Sequence, residues 1–401
     1  MTETDILVVG GGMVGLCFAN GLQGSGLDVT VVDGMPSPVA ADAGGGSAPV
    51  RTGYALQSGV EPRVSSVNLA SELLLRRAGG WPEAVQAPVE GMQVWDGRGT
   101  AEITFDGALI GEAHLGTIVE NQAIVAALHD TAVKRAEATL LFGTRVTAVE
   151  PDPVGYRVLL DSGEAISCRL LVGADGAQSR IRELMNIRTI EWSYQQQAMV
   201  TTIETALPHG NIARQCFTDQ GPLAFLPLRH PNLSSIVWST NVTESLMALD
   251  DEALCQRLTA ASEEVLGAVL GCDRRFSFPL RQRHATRYVG DHLVLIGDAA
   301  HTIHPLAGQG ANLGFADARA LCAALQRCRI EGLTPDDALL LKGYQHERRP
   351  ENLLMTGVME GFKRLFDTSD PGVNWLRNTG MNLVAGSRPL KTMIARLATG
   401  S

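Results

Sequence analysis

Apolar positions along the chain change texture twice, and each change marks a different kind of element. "DILVVG" (5–10) and "DVTVVD" (28–33) are short unbroken apolar runs flanking a helical stretch, which predicts the opening βαβ unit of a doubly wound α/β fold. The pattern over 65–78 predicts a helix, 91–95 and 101–105 a hairpin, and 121–138 a second helix. Strand-like runs follow at 139–149, 155–161 and 166–173. From about 190 to 280 the runs are "QAMVTTIET", "PLAFLPL" and "SSIVWST", separated by turns and followed by one helix near 250–268. That texture predicts a separate antiparallel sheet with helical cover. "HLVLIG" (292–297) returns to the buried-strand pattern. Helical spacing then fills 309–329 and most of 335–400, broken near Pro350, Pro371 and Pro389. Residues 36–62, rich in Pro, Ala, Gly and Ser, lack periodicity and predict a mobile loop. The pattern divides the chain into a discontinuous domain (1–72, 106–182 and 285–350), a second domain (73–105 and 183–284) and a helical segment (351–401).

Composition narrows the classes. At 401 residues, 45% apolar and 19% charged, the chain is long enough for two packed cores. A net charge of −10 provides no electrostatic footprint for nucleic acid. The seven cysteines are scattered without a C-x-x-C pair, which argues against disulfides and structural zinc and fits a reducing cytoplasm. Ile6–Leu27 is free of charge, yet Glu3 and Asp5 precede it and seven glycines interrupt it, so it reads as neither a signal peptide nor a membrane span.

Gly10, Gly12 and Gly15 spell G-x-G-x-x-G between the first strand and the first helix, and Asp33 ends the second strand. Glycines there admit a pyrophosphate to the backbone at a helix N-terminus, and a carboxylate at that strand end can accept from ribose hydroxyls. The motif indicates a dinucleotide and leaves FAD and NAD(P) both open.

Two later motifs favour the flavin. "LLVGADGAQSRIR" (170–182) is a buried strand ending at Asp175–Gly176; read alone, it is a strand-to-helix turn with Asp as the cap. In "GDAAHTIHPLAGQGANLGFADA" (297–318) a strand stops at Gly297–Asp298, and a glycine-rich loop leads into a helix starting near Gly310. Asp298 can accept from a polyol hydroxyl. The positive helix end near Gly308–Gly310 suits the anionic pyrimidine side of a reduced isoalloxazine. Asp298, His301 and His304 fall three apart, as in a metal ladder. However, the loop contains Pro305 and lacks the fixed helical face of an H-E-x-x-H site, so no metal is assigned.

Together these motifs resemble the class A flavoprotein monooxygenases, which have the 4-hydroxybenzoate hydroxylase-type fold. "HPLAGQGANLGFAD" (304–317) is similar to the signature of the ring hydroxylases of ubiquinone biosynthesis. "PRVSSVNLASELLLRRAGGW", "ARQCFTDQGPLAFLPL" and "SSIVWS" resemble the branch acting on 2-polyprenylphenol, the C5-type hydroxylase. The resemblance implies an α/β Rossmann-like FAD-binding domain with an inserted α+β substrate domain and a helical C-terminus. It implies FAD as cofactor, NAD(P)H as electron donor, O₂ and a polyprenylphenol as substrates, and hydroxylation through a flavin C4a-hydroperoxide. Cofactor contacts would come from Gly10, Gly12, Gly15, Asp33, Arg63, Asn121, Asp175, Gly176, Asp298, Gly308, Gln309, Gly310 and Asn312, with Arg180 in the second motif. His304 and Pro305 are candidates for the substrate-facing wall, and no general base is named. The resemblance further implies a cytoplasmic protein peripheral to the inner membrane face, associated with other ubiquinone-biosynthesis proteins and compatible with a homo-oligomer.

Overall fold

The computed structural model describes residues 2–38, 49–97, 99, 101–303, 310–367 and 371–400. The first sheet is built on the apolar runs. Its order is Ala138–Phe142, Val29–Asp33, Thr2–Val9, Ala165–Gly173, Gly155–Leu160 and Val146–Asp152, and Leu293–Leu295 adds in parallel beside Leu171–Gly173. The four strands from Ala138–Phe142 to Ala165–Gly173 are mutually parallel. Strands covered on both faces need apolar residues on both faces. Ile6, Leu7, Val8, Leu170, Leu171 and Val172 are accordingly inaccessible. Helices α1 (Met13–Gly21), α2 (Leu69–Arg77) and α3 (Asn121–Arg135) belong to this half, with Leu16, Leu75 and Leu128 in its core.

A larger second sheet takes up the middle of the chain. Its order is Val50–Thr52, Ala55–Gln57, Val269–Cys272, Thr189–Thr205, Leu233–Thr240, Gly221–Pro227, Ile212–Thr218, Gly91–Asp96 and Glu102–Asp106. Short helix α4 (Arg180–Leu184) still packs on the first sheet, with Ile181 in its core, whereas α5 (Thr243–Ala248) and α6 (Asp251–Ala261) accompany the second; Leu254 and Leu258 of α6 fill the core around Trp238. Thr189–Thr205 also pairs with Phe276–Ala285, and His284 of that strand pairs with His301. This long ribbon ties the second sheet to the Gly297–Asp298 turn. Val64–Asn68, Gln86–Val89 and Gly116–Glu120 form a third, three-stranded sheet. Helices α7 (Gly310–Glu331), α8 (Ala338–Asp367), α9 (Pro371–Gly386) and α10 (Arg388–Thr399) complete the chain.

Four expectations are corrected. Residues 64–68 are a strand, and the helix begins only at Leu69, where the Asn68 side chain caps it by accepting from Ser71 N at 2.9 Å. Buried Ser65 hid the alternation. Part of the supposed loop 36–62 is a hairpin, Val50–Thr52 with Ala55–Gln57, joined to the second sheet at Cys272; its three-residue strands are too short to show a period. The rest of that loop, 39–48, lies outside the described residues. The helix expected over 250–268 stops at Ala261, before Glu263 and Glu264 turn to positive φ. Finally, α8 runs through Pro350. Proline forfeits one helix hydrogen bond, but Arg348 and Asn352 on either side are buried and bonded to Asp317 of α7, which holds the helix together across the defect.

Candidate flavin site

The three motifs come together because their strands end side by side. Gly10 N donates to Val32 O at 2.8 Å, Ala174 N to Val9 O at 2.8 Å, and Ile296 N to Gly173 O at 3.0 Å. Ligands of open α/β sheets bind at such carboxyl ends.

Each glycine of the first motif has its own geometric reason. Gly10 has φ +112°, and a Cβ there would lie 2.3 Å from Ala174 O. A Cβ at Gly15 would lie 1.9 Å from Gly10 O, so glycine lets α1 pack directly on the turn. Gly12 is different: a Cβ there would meet nothing within 4 Å. Gly12 is also the N-cap of α1, with no side-chain cap and no acidic residue in the first turn. The helix thus presents bare N–H groups and its positive end to open space, which fits a pyrophosphate. Asp33 accepts from Gly11 N at 2.6 Å and from Met35 N at 2.7 Å, which fixes the carboxylate beside that cradle. Each oxygen retains a lone pair for a ribose hydroxyl.

In the second motif, Asp175 accepts from Ser179 Oγ at 2.5 Å and from Ile181 N at 3.0 Å, and Gly176 makes the turn at φ +79°. Burial pushes the Asp175 carboxyl up, against the pull of those bonds. Ser179 is the N-cap of α4, accepting from Arg182 N at 3.0 Å, and Asp175 braces that cap and the first helical turn. Arg180 is exposed and pairs with Glu183 at 2.9 Å. The arginine that joins the motifs is Arg182, which sequence reasoning passed over. It is buried and donates to Ala177 O at 2.8 Å and to Ala299 O at 2.9 Å, tying the second motif to the third.

The third motif turns at Gly297, whose φ of +61° suits glycine. Asp298 is exposed, with protein packed around its carboxyl. That enclosure raises its carboxyl above the usual range, while the charges of His301 and Arg63 pull it down. Arg63 is exposed, with its guanidinium over the Phe278 ring at 5.9 Å. Asn121 begins α3, donates its N–H to Arg63 O at 3.0 Å, and accepts from Ser65 Oγ at 2.7 Å. The fold thus brings Arg63, Asn121 and Asp298 into one neighbourhood from three separate segments.

Gly310 opens α7, whose first turn carries no acidic residue. Asn312 staples that turn to the third sheet: its Oδ1 accepts from Asn68 N at 3.0 Å and its Nδ2 donates to Ser66 O at 2.8 Å. His304, Pro305, Gly308 and Gln309 lie outside the described residues. Among the described residues no group of three or more His, Cys, Asp and Glu could hold a metal ion.

Beside Asn312 lies a mainly apolar cavity of about 100 Å³. Met92, Phe105 and Leu226 of the second sheet line one side, and Ile394 and Ala398 of α10 line another. An apolar cavity of about 150 Å³ holds benzene, so this space is on the scale of a single ring.

Residues 3–356 match the FAD binding domain family. The chain is 34% identical to the 3-demethoxyubiquinol 3-hydroxylase of Escherichia coli over 404 aligned positions, covering 99% of this chain and 98% of that one. It is 34% identical to the ubiquinone hydroxylase UbiL of Rhodospirillum rubrum, covering 99% and 90%. It is 32% identical to the human ubiquinone biosynthesis monooxygenase COQ6, covering 99% and 93%. Among solved structures, the probable FAD-dependent monooxygenase pqsL of Pseudomonas aeruginosa superposes with a TM-score of 0.77 at 24% identity, covering 95% of this chain and all of that one. The p-nitrophenol 4-monooxygenase PnpA of Pseudomonas putida also gives 0.77, at 17% identity, covering 98% and 97%. Matched over nearly its whole length by the FAD binding domain family and by these ubiquinone hydroxylases, the chain belongs to the FAD-dependent monooxygenases of the ubiquinone-biosynthesis hydroxylase family.

Proposed function

We propose that this protein hydroxylates the ring of a polyprenylated phenol, with NAD(P)H as electron donor. The observation that carries the reading is the mainly apolar cavity of about 100 Å³ between Asn312, at the start of α7, and the second sheet. Bound FAD supplies the oxygen-transfer chemistry, and the chain's own residues bind, orient and enclose. Gly10, Gly12 and Gly15 admit the pyrophosphate, Asp33 accepts from the ribose, and Asp298 accepts from the polyol. Arg63 and Asn121 would face the same cofactor, and Gly310 would bring the start of α7 to its ring, a role the reading also gives to Gly308 and Gln309, outside the described residues. The reading assigns the substrate-facing wall to His304 and Pro305, which lie outside the described residues. In this reading Asp175 and Gly176 serve the cofactor indirectly, by shaping the turn that Arg182 fastens to Ala299.

Two ring substrates are separable. The segments at 62–81, 213–228 and 234–239 favour a 2-polyprenylphenol, hydroxylated at C5. The Escherichia coli relative is named for a demethoxyubiquinol. The test is oxygen consumption coupled to product formation, with short-chain forms of each ring offered to the FAD-loaded enzyme and NADPH or NADH. Turnover of the prenylphenol supports the C5 reading, and turnover of the demethoxyubiquinol alone replaces it. If neither ring stimulates oxygen uptake or flavin oxidation, the hydroxylase reading fails.

A further inference from the structure

Helix α10 has two unlike faces. Ile394 and Ala398 face the ring-sized cavity, and Lys391 lies over the Phe105 ring at 5.9 Å. On the outer side Pro389, Met393 and Leu397 recur every four residues, all exposed, with Met393 at 52% and Leu397 at 70% accessibility. Beside that row run Arg388 and Arg396, also exposed. From residue 371 to 401 the chain carries four basic residues and no acidic one, although its net charge is −10. The cavity beneath measures about 100 Å³, and apart from Asn312 its remaining walls come mainly from strands of the second and third sheets.

We propose that the outer face of α10 docks on an anionic lipid bilayer, making the helix the membrane-side roof of the substrate cavity. Met393 and Leu397 enter the interface while Arg388 and Arg396 meet the lipid headgroups, an arrangement suited to a helix lying in the membrane plane. Among the described residues no helix is long and apolar enough to cross a membrane, so this contact is a surface one. A substrate whose ring fills the cavity keeps its tail on the lipid side of this roof. The roof role rests on the proposed prenylated substrate; the docking does not.

The test is co-sedimentation of the FAD-loaded protein with vesicles of phosphatidylcholine alone or with one quarter phosphatidylglycerol. The wild type is expected on the anionic vesicles and off them in high salt. Arg388→Gln combined with Arg396→Gln is expected to weaken binding about thirtyfold, roughly fivefold for each charge near the surface. Met393→Ser with Leu397→Ser is expected to abolish sedimentation. Both double variants are expected to keep wild-type melting temperature and wild-type turnover of a short-chain substrate in solution, while losing turnover of a long-chain substrate held in vesicles. Sedimentation that is absent in the wild type, or undiminished in either variant, overturns the proposal. So does burial of Met393 and Leu397 in a second copy, read as a stable dimer by light scattering. Binding that behaves as expected without turnover of any prenylated ring would retain the docking and remove the hydroxylase reading.

Discussion

His301 Nε2 lies 2.5 Å from Asp317 Oδ2, and both side chains are buried. The same carboxylate oxygen accepts from Gly297 N at 3.1 Å; the other accepts from Arg348 Nε at 2.8 Å and Asn352 Nδ2 at 3.1 Å. Asp317 thus couples the turn before Asp298 to α7 and α8. Burial alone would raise its carboxyl, but His301 and Arg348 outweigh it and hold the group below the usual carboxylate range. Asp317→Asn keeps the size and removes the charge, leaving Arg348 without its buried carboxylate. A stability loss of about 3–5 kcal/mol is expected in urea unfolding. A loss within about 0.5 kcal/mol, the range of ordinary surface changes, would show that the network does not hold this junction.

The neighbouring His284 predicts an acid-sensitive step. Burial lowers its imidazole from 6.5 to about 4, and its ring bonds Ala285 O and the Tyr288 hydroxyl, both at 2.9 Å. Between those pH values the unfolded chain binds a proton that the folded protein refuses, so stability falls as pH falls through the window. Each pH unit there costs up to about 1.4 kcal/mol. Asp317 adds to the same direction at lower pH, where its depressed carboxyl protonates later than in the unfolded chain. Melting temperature measured from pH 7 to 4 is expected to decline less steeply in His284→Gln than in the wild type. Parallel declines would remove His284 from the account.

The glycines of the cradle divide by mechanism. Gly15→Ala places a Cβ 1.9 Å from a backbone oxygen, so the protein should melt earlier and lose FAD together. Gly12→Ala meets nothing in the free protein. It should melt normally without cofactor yet retain little flavin, read from the absorbance ratio near 450 and 280 nm. Equal flavin content in Gly12→Ala and wild type would place the pyrophosphate elsewhere.

Asp298→Ala is expected to weaken FAD binding about tenfold to a hundredfold, the worth of a hydrogen bond to a charged group. Arg63→Ala should weaken it comparably. Because the two groups sense each other electrostatically, the double variant should cost less than the sum of the two. Isothermal titration of the apoproteins with FAD measures all three values. Additive losses would mean that the two residues act on separate parts of the cofactor.

The residues that sequence reasoning found are those whose type is dictated by backbone geometry. Gly10 and Gly15 are legible because no other residue fits, and Asp33 because it ends a strand of three valines and one threonine. The second sheet was legible as a change of texture, but its three-residue strands and the Ser65 strand were not. Arg182 and the Asp317–Arg348–Asn352 cluster escaped for a different reason. On a single helix, a buried polar residue looks like part of a solvated face until its partner on another helix is known. One signal was available: Asp317 stands between Phe315 and Ala318, with Leu321 one turn further on, on the apolar stripe of α7. A carboxylate on that stripe requires a buried cation, and Arg348 provides it.

The position of Leu293–Leu295 beside Leu171–Gly173 bears on how the protein is made. During synthesis the first two cofactor motifs leave the ribosome long before the third, and the core strand that carries the third is the last to insert. Until then the first sheet has an open seam, and its apolar edge is available for wrong pairing. The long-range contacts that close it also slow folding. The complete flavin site therefore forms only once this late strand has inserted, and FAD binding afterwards stabilises the closed sheet as well as supplying the activity.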